Sequence, residues 1–169
     1  MFSKFLRERA RSRAAKALGV VDGPAEPDFD CFVQQVADAF AAPIALLNLI
    51  DDRSLWIKAG KGMKPQCIAR EGSFCTHAVD RCQLLEVCDA RVDPMYATLP
   101  AVTGAPFMRY YIGAPLILVD GTAVGALCVI DTQPRGPASR DQRAYLTGVA
   151  RQATQALERR AHIRSSIAA

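Results

Sequence analysis

No stretch of this 169-residue chain approaches the ~18 uncharged apolar residues that a membrane-spanning helix needs, so a helical transmembrane protein is excluded. The first residues lack the apolar core and small-residue cleavage site of a secretory leader, and the protein is expected in the cytoplasm. Six cysteines are present, yet no two stand as Cys-x-x-Cys, which removes the strongest zinc and redox signatures. Reduced, mostly buried thiols are expected, because half the residues are hydrophobic and a chain this long can fold on its core. Tryptophan occurs once, as Trp56, and Cys75 with His77 is the one close Cys/His pair. Internal repeats and low-complexity tracts are absent. Charge is moderate at a net +4, and it is uneven. Residues 1–16 hold Lys4, Arg7, Arg9, Arg11, Arg13 and Lys16 against Glu8, leaving a nearly neutral body. A nucleic-acid reader is not expected from such a body, since the basic footprint is confined to one arm.

What is present reads as one domain with an N-terminal arm. Residues 1–22 form a basic amphipathic helix with Phe2, Phe5, Leu6, Ala10, Ala14, Ala17 and Leu18 at helical spacing, ended at Gly19 and broken at Asp22-Gly23-Pro24. The domain itself is expected over 23–160. Its opening helix spans about Asp28 to Ala41, with Phe29, Phe32, Val33, Val36, Ala37 and Phe40 inward. Ile44–Ile50 is an apolar strand, Asp51-Asp52-Arg53-Ser54 a turn, and Leu55–Ala59 its antiparallel partner. Gly60–Glu71 reads as loop, Ser73–Asp80 as a short helix and Leu84–Cys88 as a short strand.

Asp89–Phe107, punctuated by Pro94, Pro100, Gly104 and Pro106, is predicted to be irregular with a short helix near Pro94–Leu99. Ordered irregular segments of this length are commonly functional. Two strands then meet at Val119-Asp120-Gly121-Thr122, a hairpin signal, and the return strand Ala123–Ile130 is apolar on both faces, hence central. Ser139 and Gln142 stand in capping-box spacing ahead of a long helix over 138–164, followed by a tail at 165–169. Leu146, Val149, Ala153, Ala156 and Ile163 form a heptad-like stripe on that helix, interrupted by Arg160.

The order helix, two strands, helix, strand, irregular segment, hairpin, long helix resembles a GAF domain over about Ala10 to Arg159. The matching residues are Phe29-Asp30, Pro43-Ile44-Ala45-Leu46, Ile50-Asp51-Asp52-Arg53 with Trp56, and Gly72-Ser73-Phe74-Cys75-Thr76-His77. They continue through Asp89-Ala90-Arg91-Val92-Asp93-Pro94, Val102-Thr103-Gly104, Arg109-Tyr110-Tyr111, Gly113-Ala114-Pro115-Leu116 and Leu127-Cys128-Val129-Ile130-Asp131. The subclass resembled is the one beside bacterial histidine kinases and cyclic-di-GMP enzymes. The resemblance implies an α+β fold of the GAF-like, profilin/PAS-like kind. An antiparallel sheet of five to six strands would carry helices packed on one face and a ligand pocket on the other. After Asp93-Pro94 the subclass carries Arg and Phe; here Met95 and Tyr96 stand there, so an anion bound by that Arg is not expected. Leu99-Pro100 likewise replaces an Asn-Pro pattern.

A small-molecule sensory domain without catalytic activity is the favoured function. Its candidate pocket residues are Trp56, Cys75, His77, Asp89, Asp93, Tyr96, Arg109, Tyr111 and Asp131. Residues two apart on a helix point about 200° apart, which argues against Cys75 and His77 as a nucleophile–base pair. A Cys75/Cys82/Cys88 metal site with His77 has an allowed ligand set without a recognised spacing. Two alternatives remain: a cysteine-dependent free methionine-sulfoxide reductase using Cys75, Cys88 and Cys128, and a heme or bilin sensor, heme through His77. No metal or cofactor is otherwise expected. The terminal helices suggest a homodimer or a partner signalling protein, and residues 1–18 an anionic membrane surface.

Overall fold

The computed structural model describes residues 2–19 and 26–168, with side chains described from Leu6 onward. The predicted break at Asp22-Gly23-Pro24 and the side chains of Phe2 and Phe5 therefore lie outside the described residues. Six strands form one antiparallel sheet: β1 (Ile44–Ile50), β2 (Ser54–Lys61), β3 (Cys67–Ala69), β4 (Leu85–Val87), β5 (Tyr110–Ile117) and β6 (Ala123–Asp131). Their order across the sheet is β3-β2-β1-β6-β5-β4. β1 and β6 hold the centre and are buried along their whole length, which is why β6 reads as apolar on both faces; β1, read only as a short apolar strand, shares the centre with it.

Helices α2 (Asp30–Ala39) and α5 (Arg140–Ile167) cover one face of the sheet. Leu47 and Leu49 of β1, Ile112 and Ala114 of β5, and Val129 of β6 meet Val33, Val36, Leu146 and Val149 there. The other face carries α3 (Phe74–Arg81) and the short α4 (Pro100–Thr103) with the irregular chain around it. Tyr110 and Tyr111 divide as the pleat demands, Tyr110 toward α5 and Tyr111 toward α3. A 3₁₀ turn at Pro27–Phe29 precedes α2.

Helix α1 (Phe2–Ala17) docks where β1 ends and β6 begins, with Arg11, Ala15 and Leu18 buried. Gly19, at φ +64°, terminates it, and Arg164 of α5 donates to the Gly19 carbonyl at 2.7 Å.

Three predicted elements are displaced. The stretch read as loop contains β3, a strand exposed at all three residues and so without the burial alternation that would mark it. The short helix of the irregular segment is Pro100–Thr103, while 94–98 is turn; Pro100 takes the first helical position, where its missing N–H is harmless. On α5 the buried stripe is Leu146, Val149, Ala150, Ala153, Thr154 and Leu157, spent on its own sheet. Ile163 is 57% exposed, and Arg160 forms an ion pair with Glu26.

Helix α5 starts with the predicted capping box, Ser139 Oγ accepting from the Gln142 N–H at 3.1 Å and Gln142 Oε1 from the Ser139 N–H at 3.0 Å. Ser139→Ala removes one of the two bonds and is expected to cost about 1 kcal/mol, read in thermal melting as a fall of about 2–4 °C.

Candidate functional site

A cavity of about 560 Å³ lies between the α3 face of the sheet and the irregular segment. Leu46, Ile57 and Ile130 supply its floor, Met63 and Gln66 one side, and Pro100, Ala101, Pro106 and Met108 its roof. The proline-rich stretch thus sits over the void as expected, held by backbone bonds from Met108 N–H to Ala101 at 2.8 Å and from Ala90 N–H to Arg109 at 2.7 Å. The phenyl ring of Phe74 stacks between Tyr96, at 4.8 Å, and Tyr111, at 5.1 Å, closing one wall.

Four polar groups converge at the inner end. Asn48 projects from the middle of β1, fully buried, and its Nδ2 donates to Cys75 Sγ at 3.1 Å. Tyr111 donates its hydroxyl to the same sulfur at 3.3 Å, and Cys75 and Cys128 share a contact at 3.8 Å. The register explains the meeting. Cys128 pairs with Leu46 on one side and Gly113 on the other, and Asn48 lies beside Ala126. A Cβ on Gly113 would fall 2.1 Å from the Tyr111 hydroxyl, so only glycine there lets the phenol lie across β5 toward α3. Ser73 caps α3, accepting from the Thr76 N–H at 3.2 Å, and sets Cys75 in the first helical turn.

The electrostatics of this cluster are lopsided. The hydrogen bond with Cys128, aided by those from Tyr111 and Asn48, holds the Cys75 thiol below its ordinary value against the opposing effect of burial. Cys128 is driven well above its ordinary value by the bond to Cys75 and by burial; Tyr111 is also driven up, chiefly by burial. Asn48 Oδ1 is buried at the cavity and accepts no hydrogen bond within the described residues. A buried acceptor left in that state costs about 1–3 kcal/mol, a deficit that a donor in the cavity removes.

The predicted site residues separate into two groups. Cys75 and Tyr111 line the cavity, and Tyr96 backs it through Phe74. His77 packs edge-on against Tyr96 at 5.3 Å and is not among the residues lining the cavity, so it would not be placed to hold a heme there. Trp56 donates to Asp51 Oδ2 at 3.0 Å at the β1–β2 turn. Asp89 is clasped by Arg91, which holds its carboxyl at about 2. Asp93 accepts from the Met95 N–H at 2.9 Å within a turn. Arg109 donates to the Val102 and Met108 carbonyls and so pins the roof. Asp131 is taken by Arg135, whose guanidinium also reaches Phe40 O. Cys82 and Cys88 are an exposed and a half-buried thiol away from Cys75, and no group of three metal-binding side chains is found among the described residues.

Sequence reasoning missed Asn48. Its signal was a single amide in the otherwise apolar Ile44–Ile50, and a β-bulge faces it, Leu47 opposing Ala59 and Asn48 opposing Ile57. A larger groove of about 920 Å³ runs beside α1, but its Glu8, Arg70 and Asp80 are bonded to one another. The cavity under the proline-rich segment is the better site, because its interior is mainly apolar and holds an unused acceptor.

A sheet with this strand order, roofed by an irregular segment on one face and backed by two helices on the other, defines an α+β fold. The sequence profile of the GAF domain matches residues 26–157, and the chain belongs to that family. A cyclic di-GMP phosphodiesterase of Pseudomonas aeruginosa is 35% identical over 144 residues, which are 85% of this chain; the chain spans 24% of that relative. The GAF domain of an Acinetobacter phosphoenolpyruvate-protein phosphotransferase superposes with a TM-score of 0.67 at 20% identity, covering 89% of this chain and 92% of that one. A type II free methionine-R-sulfoxide reductase from Thermoplasma acidophilum superposes at 0.64 with 16% identity, covering 78% and 91%. Among the described residues no helix is long and apolar enough to cross a membrane.

Proposed function

We propose that this GAF domain is a non-catalytic sensor whose cavity takes a small, neutral, largely apolar molecule carrying one hydrogen-bond donor. The observation that carries the reading is Asn48 Oδ1, a buried acceptor without a partner at the end of an apolar chamber. Glu71 is the one charged side chain among the described residues lining the cavity. A phosphate or carboxylate would therefore meet no cation there, and Met95, where the subclass has Arg, is half-exposed outside it.

Output would pass through α5. Tyr111 touches the cavity, while its neighbour Tyr110 donates to Glu86 Oε1 at 2.8 Å on the opposite face. Glu86 also accepts from the Ala138 N–H at 2.6 Å and pairs with Arg143 in the first turn of α5. A ligand that prefers one setting of Tyr111 would bias that helix end. Ile163 and Ile167, exposed on the far end of α5, supply an apolar surface for a second subunit or a signalling partner. The match to part of a cyclic di-GMP phosphodiesterase supports regulation of such an output. Contact of α1 with an anionic membrane is less supported, since Arg11 is committed to Glu8 and Asp80.

Native mass spectrometry of protein purified gently from its own cells tests the reading. A retained small molecule is expected as added mass. Asn48→Leu, which keeps the branched side-chain shape while removing the acceptor, should weaken its binding about tenfold. Retention unchanged in that variant would overturn the assigned contact.

Thiol-dependent reduction of methionine sulfoxide is the second reading, favoured by the Cys75–Cys128 contact alone. Cys88, its third thiol, does not line the cavity, and burial raises its pKa. Turnover of methionine sulfoxide with a dithiol reductant, abolished by Cys88→Ser, would replace the sensory reading with this one.

A further inference from the structure

We propose that Cys75 and Cys128 form a dithiol that a small peroxide entering the cavity oxidises to a disulfide. The inference stands whether or not the cavity also holds an effector. Four features place it there. The sulfurs are 3.8 Å apart, on two elements that are distant in sequence. Cys75 lines the cavity, so an oxidant of a few atoms reaches its sulfur without unfolding the domain. Tyr111 and Asn48 both donate to that sulfur, favouring its thiolate, the nucleophilic form. Cys128 is fully buried behind it on the central strand, a resolving thiol shielded from direct attack. A disulfide needs about 2.0 Å between sulfurs, so the pair must close by about 1.8 Å.

The chemistry balances in two steps. The Cys75 thiolate attacks the peroxide; an S–O bond forms, the O–O bond breaks, and the departing oxygen takes a proton to leave as water or an alcohol. Cys75 is then a sulfenic acid. The Cys128 sulfur attacks it, the S–S bond forms, the S–O bond breaks, and the hydroxyl leaves as water with the Cys128 proton. Two thiols have lost two electrons and the peroxide has gained them. A dithiol reductant restores both thiols by exchange. In the disulfide Cys75 can no longer be a thiolate acceptor for Tyr111 and Asn48, and the first turn of α3 is tied to β6. The same cavity therefore has two walls, one for each redox state.

The variant C31S/C67S/C82S/C88S leaves only this pair, the four removed thiols being exposed or half-buried. Treated with hydrogen peroxide and then alkylated under denaturing conditions, it is expected to lose two hydrogens in mass and to carry no alkylated cysteine. Dithiothreitol should restore two alkylatable thiols. Peptide mapping of the unsubstituted chain, treated alike, should link Cys75 to Cys128, which keeps the test open should the variant fold poorly. Adding Cys128→Ser should convert the product to an oxygen adduct on Cys75. Two thiols still alkylatable after prolonged peroxide, or oxygen uptake at Cys75 without the linked peptide while Cys128 is present, would overturn the proposal.

Discussion

Gly125→Ala is expected to cost about 3 kcal/mol, at the top of the range for forcing atoms into a packed interior. Gly125 lies in the central pair of strands, where β6 passes Asn48 and Leu49 of β1. A Cβ at this position would sit 1.9 Å from the Asn48 carbonyl oxygen and 2.9 Å from the Leu49 Cα, both backbone atoms. No rotamer relieves such a contact; the two strands must separate, and the ladder between them weakens at the residue that carries the candidate site. Urea denaturation followed by far-UV circular dichroism should show the midpoint falling with an unchanged slope. A loss below 1 kcal/mol would mean that the β1–β6 spacing is looser than described.

Arg70→Met is expected to cost about 3 kcal/mol and to release α1 from the domain. The Arg70 guanidinium donates to both Glu8 oxygens at 2.5 and 3.0 Å, to the Asp51 carbonyl at 2.9 Å and to Asp80 at 3.0 Å. Arg11 of α1 joins the same group through Glu8 and Asp80. Two guanidiniums and two carboxylates thus balance at the seam between α1 and the loop before α3. Removing one cation leaves the half-buried acids facing each other, which explains why the loss should exceed that of a surface ion pair. The same seam gives a pH dependence. Burial alone would raise the Glu8 carboxyl, but bonds and charge from Arg70 and Arg11 outweigh it and hold the group below its ordinary 4.5. A carboxyl held low in the folded state contributes stability that is present above its unfolded value and is lost as pH falls through the folded one. Protection factors of the α1 amides, corrected for the intrinsic exchange rate, should therefore be high at neutral pH and fall as pH drops below 4.5, before those of β1 and β6. Simultaneous loss in all three would place the acid-labile contact elsewhere.

Elements carried by local pattern were legible in the sequence. β6 announced itself by an unbroken apolar run from Ala123 to Ile130 and β1 by a run broken only at Asn48, α5 by its capping box, and the roof by its prolines, because each signal depends on neighbours in the chain. β3 was not, since an exposed three-residue edge strand has only its hydrogen bonds to β2 to define it. The site was half legible. Cys75 and Tyr111 fall on it, whereas Asp89, Asp93, Arg109 and Asp131, singled out for their charge, hold turns and the roof through local bonds. Carboxylates at strand ends find backbone N–H groups within two residues more readily than they reach a cavity. Asn48 needed the opposite inference: a polar side chain in the middle of a strand buried on both faces is costly, and so is informative. The junction of Arg70 with Glu8 spans 62 residues of sequence, and no spacing rule reaches that far.

The central claim is that the chamber between the sheet and its proline-rich roof is where this domain binds. Methyl NMR titration with the small molecule retained from its cells tests it most directly. Shifts confined to Leu46, Ile57, Met63, Met108 and Ile130, which line the chamber, are predicted, with Leu47, Leu49 and Val129 on the α5 face lagging behind them. Saturable binding that leaves those five unmoved while shifting residues beside α1 would contradict it.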